Sequence, residues 1–255
     1  MKKNHPVFSS DPVDITLPLR WAELNRKQFR TICSLLAAEI PAYTLDTILF
    51  MRLSGLHYIG RCDGTTGLGI HRLGRRIHLI PDSDIAAGAH MMQWVHHVAP
   101  LRELAALMPA VHRSARDITL RELNFADFLA ADSALQAYLA TQDQAHTNRL
   151  IRTLWPRLKP RRIRPWHHTA AIIWFSAFRQ HIQTQYPNLF APAAPGDIFG
   201  GAQQDIRTAI NTQIRALTKG DVTAEERVLA VPCHRALREL DELAREYQEL
   251  KSTGK

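Results

Sequence analysis

Residues 201–255 read GAQQDIRTAINTQIRALTKGDVTAEERVLAVPCHRALRELDELAREYQELKSTGK and contain the clearest secondary-structure pattern of the chain. Apolar residues recur there at intervals of three and four, which predicts amphipathic helices that each have one apolar stripe. The first stripe consists of Ile206, Ile210, Ile214 and Leu217. The second consists of Ala236 or Leu237, then Leu240, Leu243, Tyr247 and Leu250.

The residues between the two stripes are typical of helix ends. Gly220 lies where a left-handed C-cap residue is expected. Thr223 and Glu226 have the spacing of a capping box, and Pro232 can open the last helix at its first turn. The stretch is therefore predicted to form two helices that are separated by a short restart.

These helices pack either on their own domain or on a partner. As candidate partner-binding residues we take Ile206, Ile210, Ile214, Leu217, Leu240, Leu243 and Tyr247. The residues before them, Pro187 to Gly201, are rich in proline and glycine and form a predicted hinge. We therefore expect a chain ending near Gly196 to stay folded and to lose its partner.

A long segment without acidic residues precedes this hinge. Residues 144–196 contain no Asp or Glu but eight Lys or Arg residues, which equals the net charge of +8 of the whole chain. Exposed cations of this kind can pair with phosphates, and tryptophans beside them can stack on bases. The candidate nucleic-acid-binding residues, within the basic segment 149–179, are Arg157, Lys159, Arg161, Arg162, Arg164 and Trp166, with Trp155 at the other end of the proline-rich linker.

The basic segment also has an alternative interpretation that involves the C-terminal stretch. Residues 221–251 contain eight acidic and five basic side chains, so they can dock on the basic segment of the same chain or of a neighbour. If charge holds the C-terminal helices in this way, raising the salt concentration should loosen them.

The remaining pattern predicts the fold class. A short strand is expected at residues 14–19, an antiparallel meander at 56–80, and helices at 84–97 and 101–108. Helices are also expected at 26–39, with Asn25 as the N-cap, and at 45–53, with Gly55 ending the helix. From Asn124 onward the pattern is helical. The chain is thus predicted to be mainly α with a small antiparallel β meander (α+β) and a helical C-terminal half. We place the segment boundaries at 1–122, 123–190 and 191–255.

Composition indicates a globular protein outside the membrane. Of the 255 residues, 45% are hydrophobic and 22% charged, which is ordinary for soluble domains. The longest apolar run is far shorter than the roughly 20 residues of a transmembrane helix, and the N-terminal residues lack the apolar core of a signal peptide. The three cysteines are far apart, which favours reduced thiols and a cytoplasmic location.

No motif for catalysis, metal or cofactor binding stands out. The histidine pairs His96-His97 and His167-His168 lack the three- or four-residue spacing that places two ligands on one helix face. The glycines at 64–69 lie between predicted strands and match a hairpin turn better than a phosphate loop. We expect no catalytic residue, no metal site and no cofactor; His167 and His168 are where an active site would be sought.

Four segments resemble one family. Residues 213–226, 235–241, 17–24 and 132–141 are similar to segments of a poorly characterised family of helical proteins from phage-like and mobile-element regions of gut bacteria. The resemblance implies a tail-assembly chaperone or a similar morphogenesis factor, and it brings no catalytic residue. The leading prediction is therefore a non-enzymatic interaction protein that binds a protein partner through its C-terminal helices; the alternative is a nucleic-acid-binding protein.

Overall fold

A computed structural model describes residues 7–8, 13–38, 40–62, 66–104, 107, 123–190, 214–215, 218 and 221–253. The chain divides into two compact units. Unit 1 comprises Met1–Ala110 and Arg164–Ala170, and unit 2 comprises Val111–Ile163 and Ala171–Lys255. The described residues are mainly α-helical with one small antiparallel sheet, which confirms the predicted fold class and the helical C-terminal half.

Unit 1 begins with the predicted helical pair. Its helices are α1 (Arg26–Leu36), α2 (Ala42–Ser54), α3 (Asp82–His90) and α4 (Leu101–Leu104). Asn25 and Gln28 form a capping box at the start of α1, so the predicted Asn25 cap is confirmed. Helix α2 ends at Gly55, whose φ of 77° lies in the left-handed region that favours glycine.

The meander follows α2 and is confirmed. Strands β2 (Leu56–Arg61), β3 (Leu68–Leu73) and β4 (Arg76–Pro81) pair antiparallel, and the short β1 (Val7–Phe8) pairs parallel to β4. The order is β1-β4-β3-β2, so β2 lies at one edge. A bulge interrupts β2 between Tyr58 and Gly60.

Two local predictions for unit 1 are wrong. Residues 14–19 form no strand, because Pro18 has no N–H and the Leu19 N–H donates instead to Glu23 Oε2 at 2.8 Å, beside the 3-10 turn Trp21–Glu23. The helix predicted at 84–97 ends at His90 and resumes as the 3-10 turn Gln93–His96. This turn buries Val95 and brings His96 Nε2 within 2.7 Å of Asp46 Oδ1.

The core of unit 1 is aromatic. The Trp21 ring packs edge-on against Trp94, with 5.2 Å between centroids, and against Phe29. Helix α3 approaches α2 closely at Gly88, where a Cβ atom would overlap the Phe50 ring. A larger residue at this position would therefore displace that ring.

Unit 2 is helical throughout its described residues. It contains α5 (Phe125–Thr141), α6 (Gln144–Leu154), the part of α7 (Pro165–Gln185) that follows Ala170, α8 (Glu225–Leu229) and α9 (Cys233–Thr253). Its core contains the pair Trp155–Trp174 and a cluster of Phe128, Phe175 and Phe178.

The first half of α9 belongs to this core. Cys233, Ala236, Leu237 and Leu240 are buried. Two backbone hydrogen bonds flank a bridge between Asn124 and Pro232: Phe125 N–H donates to Val231 O, and Cys233 N–H donates to Leu123 O. The described C-terminal helices therefore share one compact unit with residues 123–163, and the structure leads us to expect that a chain ending near Gly196 loses part of the core of this unit.

The predicted capping box at Thr223 is also wrong. A 3-10 turn, Val222–Ala224, precedes α8, so Asp221 accepts the hydrogen bonds at this end. The Thr223 N–H and hydroxyl donate to Asp221 Oδ1 at 2.8 and 2.6 Å, and these bonds lower the pKa of Asp221. The predicted C-cap residue Gly220 lies outside the described residues. The part of the predicted hinge at 191–201 also lies outside them.

The apolar segments that the structure describes are all too short or too polar to span a bilayer as helices.

Candidate functional site

The basic linker in unit 2 alternates between buried anchors and exposed cations. Trp155 and Leu158 are buried, whereas Arg157, Lys159 and Arg161 are exposed. Trp155 N–H donates to Ile151 O at 2.7 Å, and Leu158 N–H donates to Trp155 O at 2.9 Å. A 3-10 turn, Pro160–Arg162, follows, with proline fixing its first φ angle. The linker is thus held in a defined conformation with its charges outward.

Helix α6 adds two arginines that the sequence analysis did not single out. Arg149 and Arg152 are exposed and lie three residues apart, which places them on one face of α6. Their three-residue spacing in the sequence could have identified them as neighbours on one helix face. The basic surface is defined here as the six exposed cations of unit 2: Arg149, Arg152, Arg157, Lys159, Arg161 and Arg162.

No acidic side chain neutralises this surface within the described part of the chain. None of its six cations takes part in an ion pair there. Arg179, which also belongs to the acid-free segment, differs: its Nε lies 3.0 Å from Asp132 Oδ1, and both side chains are largely buried. Arg179 is therefore a structural cation of unit 2 rather than part of the surface.

The two tryptophans do not form free stacking platforms. Trp155 is 0% exposed and packs on Trp174 with 5.9 Å between ring centroids, so its predicted stacking on exposed bases is wrong. In unit 1, the Trp166 ring stacks on His167 at 3.7 Å and lies 5.1 Å from the Arg30 guanidinium carbon. A base would have to displace one of these neighbours, and we leave Trp166 out of the surface.

Arg164 and His167, which belong to unit 1, form the start of α7. The Arg164 N–H donates to His167 Nδ1 at 2.8 Å, while the Arg164 side chain is exposed. Burial lowers the pKa of His168. His167 thus closes the first turn of a helix, which is a structural role.

The candidate partner-binding residues fall into three groups. Leu240 is 0% exposed and Ile214 is buried, so both pack inside unit 2; for Leu240, the interpretation as a partner contact is corrected. Leu243 is 40% exposed, and beyond it Leu250 is 73% exposed. Tyr247 lies in α9 without a described side chain, and Ile206, Ile210 and Leu217 lie outside the described residues.

Hydrogen bonds to the chain after α7 also hold α9 in place. Asp241 Oδ1 accepts from the N–H groups of Asn188 and Leu189, both at 2.8 Å, and Asp241 Oδ2 accepts from Asn188 Nδ2 at 3.0 Å. The Tyr186 hydroxyl donates to the His234 carbonyl oxygen at 3.3 Å. The sequence analysis missed this role of Asp241, because its partners are 52 and 53 residues away.

Charge pairing with the basic surface is not part of this arrangement in the described residues. Glu242 and Glu249 instead pair with Arg245 of the same helix, at 2.8 and 3.9 Å. Apolar burial and the Asp241 hydrogen bonds account for the docking of α9, and on this basis we expect salt to have little effect on it.

Two of the cysteines are buried in the described residues. Burial raises the pKa of the Cys233 thiol to about 12 and also raises that of Cys33, so both thiols stay protonated at neutral pH. No group of three or more His, Cys, Asp or Glu in the described ranges could hold a metal ion. A pocket of about 410 Å³ in unit 2 is lined by Val228, Val231, Arg235, Ala236 and Glu239.

Comparison of the chain with protein families, curated proteins and solved structures finds no match.

Proposed function

We propose that this protein binds nucleic acid through the phosphate backbone, using the basic surface of unit 2. The observation that carries the proposal is the exposure of six cations within residues 149–162, in a segment that has no acidic residue between 144 and 196. Such a concentration of one charge sign attracts polyanions. The buried anchors Trp155 and Leu158 hold the linker in place, so less conformational entropy is lost on binding.

The chemistry favours phosphates over base edges. Five of the six cations are arginines, whose planar guanidinium groups donate two parallel hydrogen bonds to phosphate oxygens. The aromatic side chains at the ends of the linker are buried or already stacked. Binding is therefore proposed to be insensitive to base sequence and strongly dependent on salt, because each neutralised phosphate releases condensed counterions.

Fluorescence anisotropy with labelled single- and double-stranded DNA across a salt series tests the proposal. Replacing Arg157, Arg161 and Arg162 by alanine should weaken binding by about tenfold or more and should reduce the slope of log K against log salt by about 2 to 3. The matched control replaces Arg215, Arg227 and Arg238, three exposed arginines elsewhere in unit 2. No binding at low salt, or equal losses in the two triple variants, would refute the proposal.

A second candidate function is the binding of a protein partner by the second half of α9. Its support is the change in exposure along one stripe: Leu240 is buried, whereas Leu243 and Leu250 face solvent. Uncovered apolar side chains in a row are typical of protein-binding helices. An assembly or morphogenesis factor, as the family resemblance implies, would be one protein of this kind.

Pull-down with the purified full-length chain tests this second function. L250D should abolish capture of a partner while leaving the circular dichroism spectrum unchanged, because the side chain is exposed. Leu139→Asp is the control, since Leu139 is exposed to a similar degree as Leu243 but lies on α5. Equal capture by wild type and L250D would eliminate α9 as the binding element.

A further inference from the structure

The sheet of unit 1 has an inner and an outer side. Directly paired residues of neighbouring strands point to the same side, and the pair His71 and His78 is buried together with Ile80 and Leu56 on the inner side. Helices α2 and α3 contact β2 and β4. The alternate residues of the three strands therefore form the outer side.

Apolar and basic rows lie beside each other on this outer side. One row contains the paired Ile70 and Leu79, with Ile59 at the adjacent bulge; Leu79 is 49% and Ile59 53% exposed. The next row contains the paired His57, Arg72 and Ile77, in which His57 and Arg72 are exposed. We call these six residues the outer sheet face. Apolar side chains at its centre are thus flanked on one side by Arg72 and His57.

The charge around the outer sheet face is positive. Of the four arginines in residues 56–81, Arg61 and Arg76 pair with inner-side residues and Arg61 also lies 3.7 Å from Asp82, so Arg72 is the arginine of this face. Arg72 has no ion-pair partner in the described part of the chain. A partner that covers this face must therefore present an apolar stripe with negative charge along one side of it.

The second half of α9 has that pattern. Leu243 and Leu250 are seven residues apart and lie on the same face of the helix. Glu239 and Glu246 lie next to this stripe on one side of it, within about 60° around the helix axis, and Glu242 and Glu249 lie beyond them. All four glutamates are exposed. Glu239 and Glu246 take part in no ion pair within the described ranges.

We infer that the partner of α9 is a second copy of this chain, whose outer sheet face receives the helix. Leu243 and Leu250 pack on Ile59, Ile70 and Leu79 of the other copy, and Glu246 faces Arg72. This inference rests on the second candidate function and names its partner. A helix that covers one side of a small sheet is a stable layer arrangement.

The symmetry of such a contact has a consequence. The two surfaces differ, so the interface is heterologous. The copy at one end of an assembly has an unoccupied outer sheet face, and the copy at the other end has an unoccupied α9. Association should then grow with concentration beyond a dimer unless a ring closes. This behaviour separates the contact from an isologous dimer.

Sedimentation velocity of the nuclease-treated full-length chain over a concentration series tests the inference. Wild type should associate with rising concentration, and R72E and E246R should each lower the association constant by about tenfold or more, because like charges then face each other. The controls R52E and E225R reverse exposed charges on α2 and α8 and should leave association unchanged.

Mixing the two variants gives the decisive result. R72E retains an intact α9, and E246R retains an intact sheet, so an equimolar mixture should associate at concentrations where each variant alone is monomeric. Circular dichroism checks that R72E is folded. If it is not, L79E, at a sheet position that is 49% exposed, replaces it in the mixture, and L250E, at a position that is 73% exposed, is a second helix-side variant.

Several results would overturn the inference. These are a wild type that stays monomeric at every concentration, association that E246R and L250E leave intact, or a mixture that fails to associate although both variants are folded. A monomeric wild type would exclude a second copy as the partner but would not exclude the second candidate function. The capture of a different protein by α9 is tested independently by the L250D pull-down.

Discussion

The basic surface and the first half of α9 both stand out as patterns in the sequence, but the structure exposes the first and buries the second. The cations from Arg149 to Arg162 all face solvent, whereas Cys233, Ala236, Leu237 and Leu240 are buried in unit 2. A charged pattern predicts exposure almost by itself, because burying an unpaired charge is costly. An apolar stripe predicts only that something covers it, and here unit 2 covers half of it.

The contrast also shows where one element changes role. Along α9 the stripe passes from Leu240, fully buried, to Leu243 and then to the exposed Leu250. The helix is thus a core element at its start and an available surface at its end. The following predictions test this division, beginning with the largest effect.

Removing residues 197–255 should unfold unit 2, because the deletion opens the core around Leu237 and Leu240 and leaves the backbone groups of Leu123 and Phe125 without their partners. Loss of the cooperative thermal transition of unit 2 in calorimetry is the expected result. A chain that ends after Leu243 keeps these contacts and should retain the transition. If the chain without residues 197–255 melts like wild type, α9 is an appended arm and not a part of the core of unit 2.

Leu240→Ala should lower the free energy of unfolding by about 2 to 5 kcal/mol, as expected for a leucine removed from a packed core. Leu250→Ala, on the same stripe, should change it by less than about 0.5 kcal/mol because the side chain is exposed. Urea denaturation measures both, and similar values for the two variants would contradict the division of α9.

Asp241→Ala should cost about 1 to 3 kcal/mol, because two backbone N–H groups and the Asn188 amide lose their acceptor. Glu242→Ala, at the exposed neighbouring position, is the matched control and should be close to neutral. A neutral Asp241→Ala variant in the same denaturation experiment would show that apolar packing alone holds α9.

The smallest effect concerns Asp221 at the start of α8. Hydrogen bonds from Thr223 lower the pKa of this carboxylate in the folded protein, so the interaction is fully present above pH 3.8 and is lost as the pH falls through the lowered value. The amide resonance of Thr223 should titrate with a midpoint below 3.8. In D221N this titration should disappear; a midpoint at or above 3.8 would exclude the cap.

Local patterns in the sequence predicted much of the fold. The Asn25 cap, the Gly55 helix end and the meander at 56–80 depend on neighbours within a few residues, and they are found in the structure. The capping box at Thr223 failed for a local reason, since Asp221 lies two residues earlier and its carboxylate accepts from the Thr223 N–H and hydroxyl.

What the sequence could not predict depends on long-range contacts. Burial of Trp155 against Trp174, the ion pair of Arg179 with Asp132 and the bond network of Asp241 join residues that are distant in the chain. Each of them reassigns a residue that the sequence had placed at a surface or left without a role. The exposure of the cations could be predicted because it follows from their charge and does not depend on a contact with a distant residue.

Hydrogen–deuterium exchange of the full-length chain, with and without a DNA oligonucleotide and at low and high salt, tests the central contrast most directly. Amides at 233–240 should be strongly protected and unaffected by salt, while those at 149–163 should exchange more slowly when DNA is added at low salt. Rapid or salt-sensitive exchange at 233–240, or unchanged exchange at 149–163 with DNA present, would contradict the account.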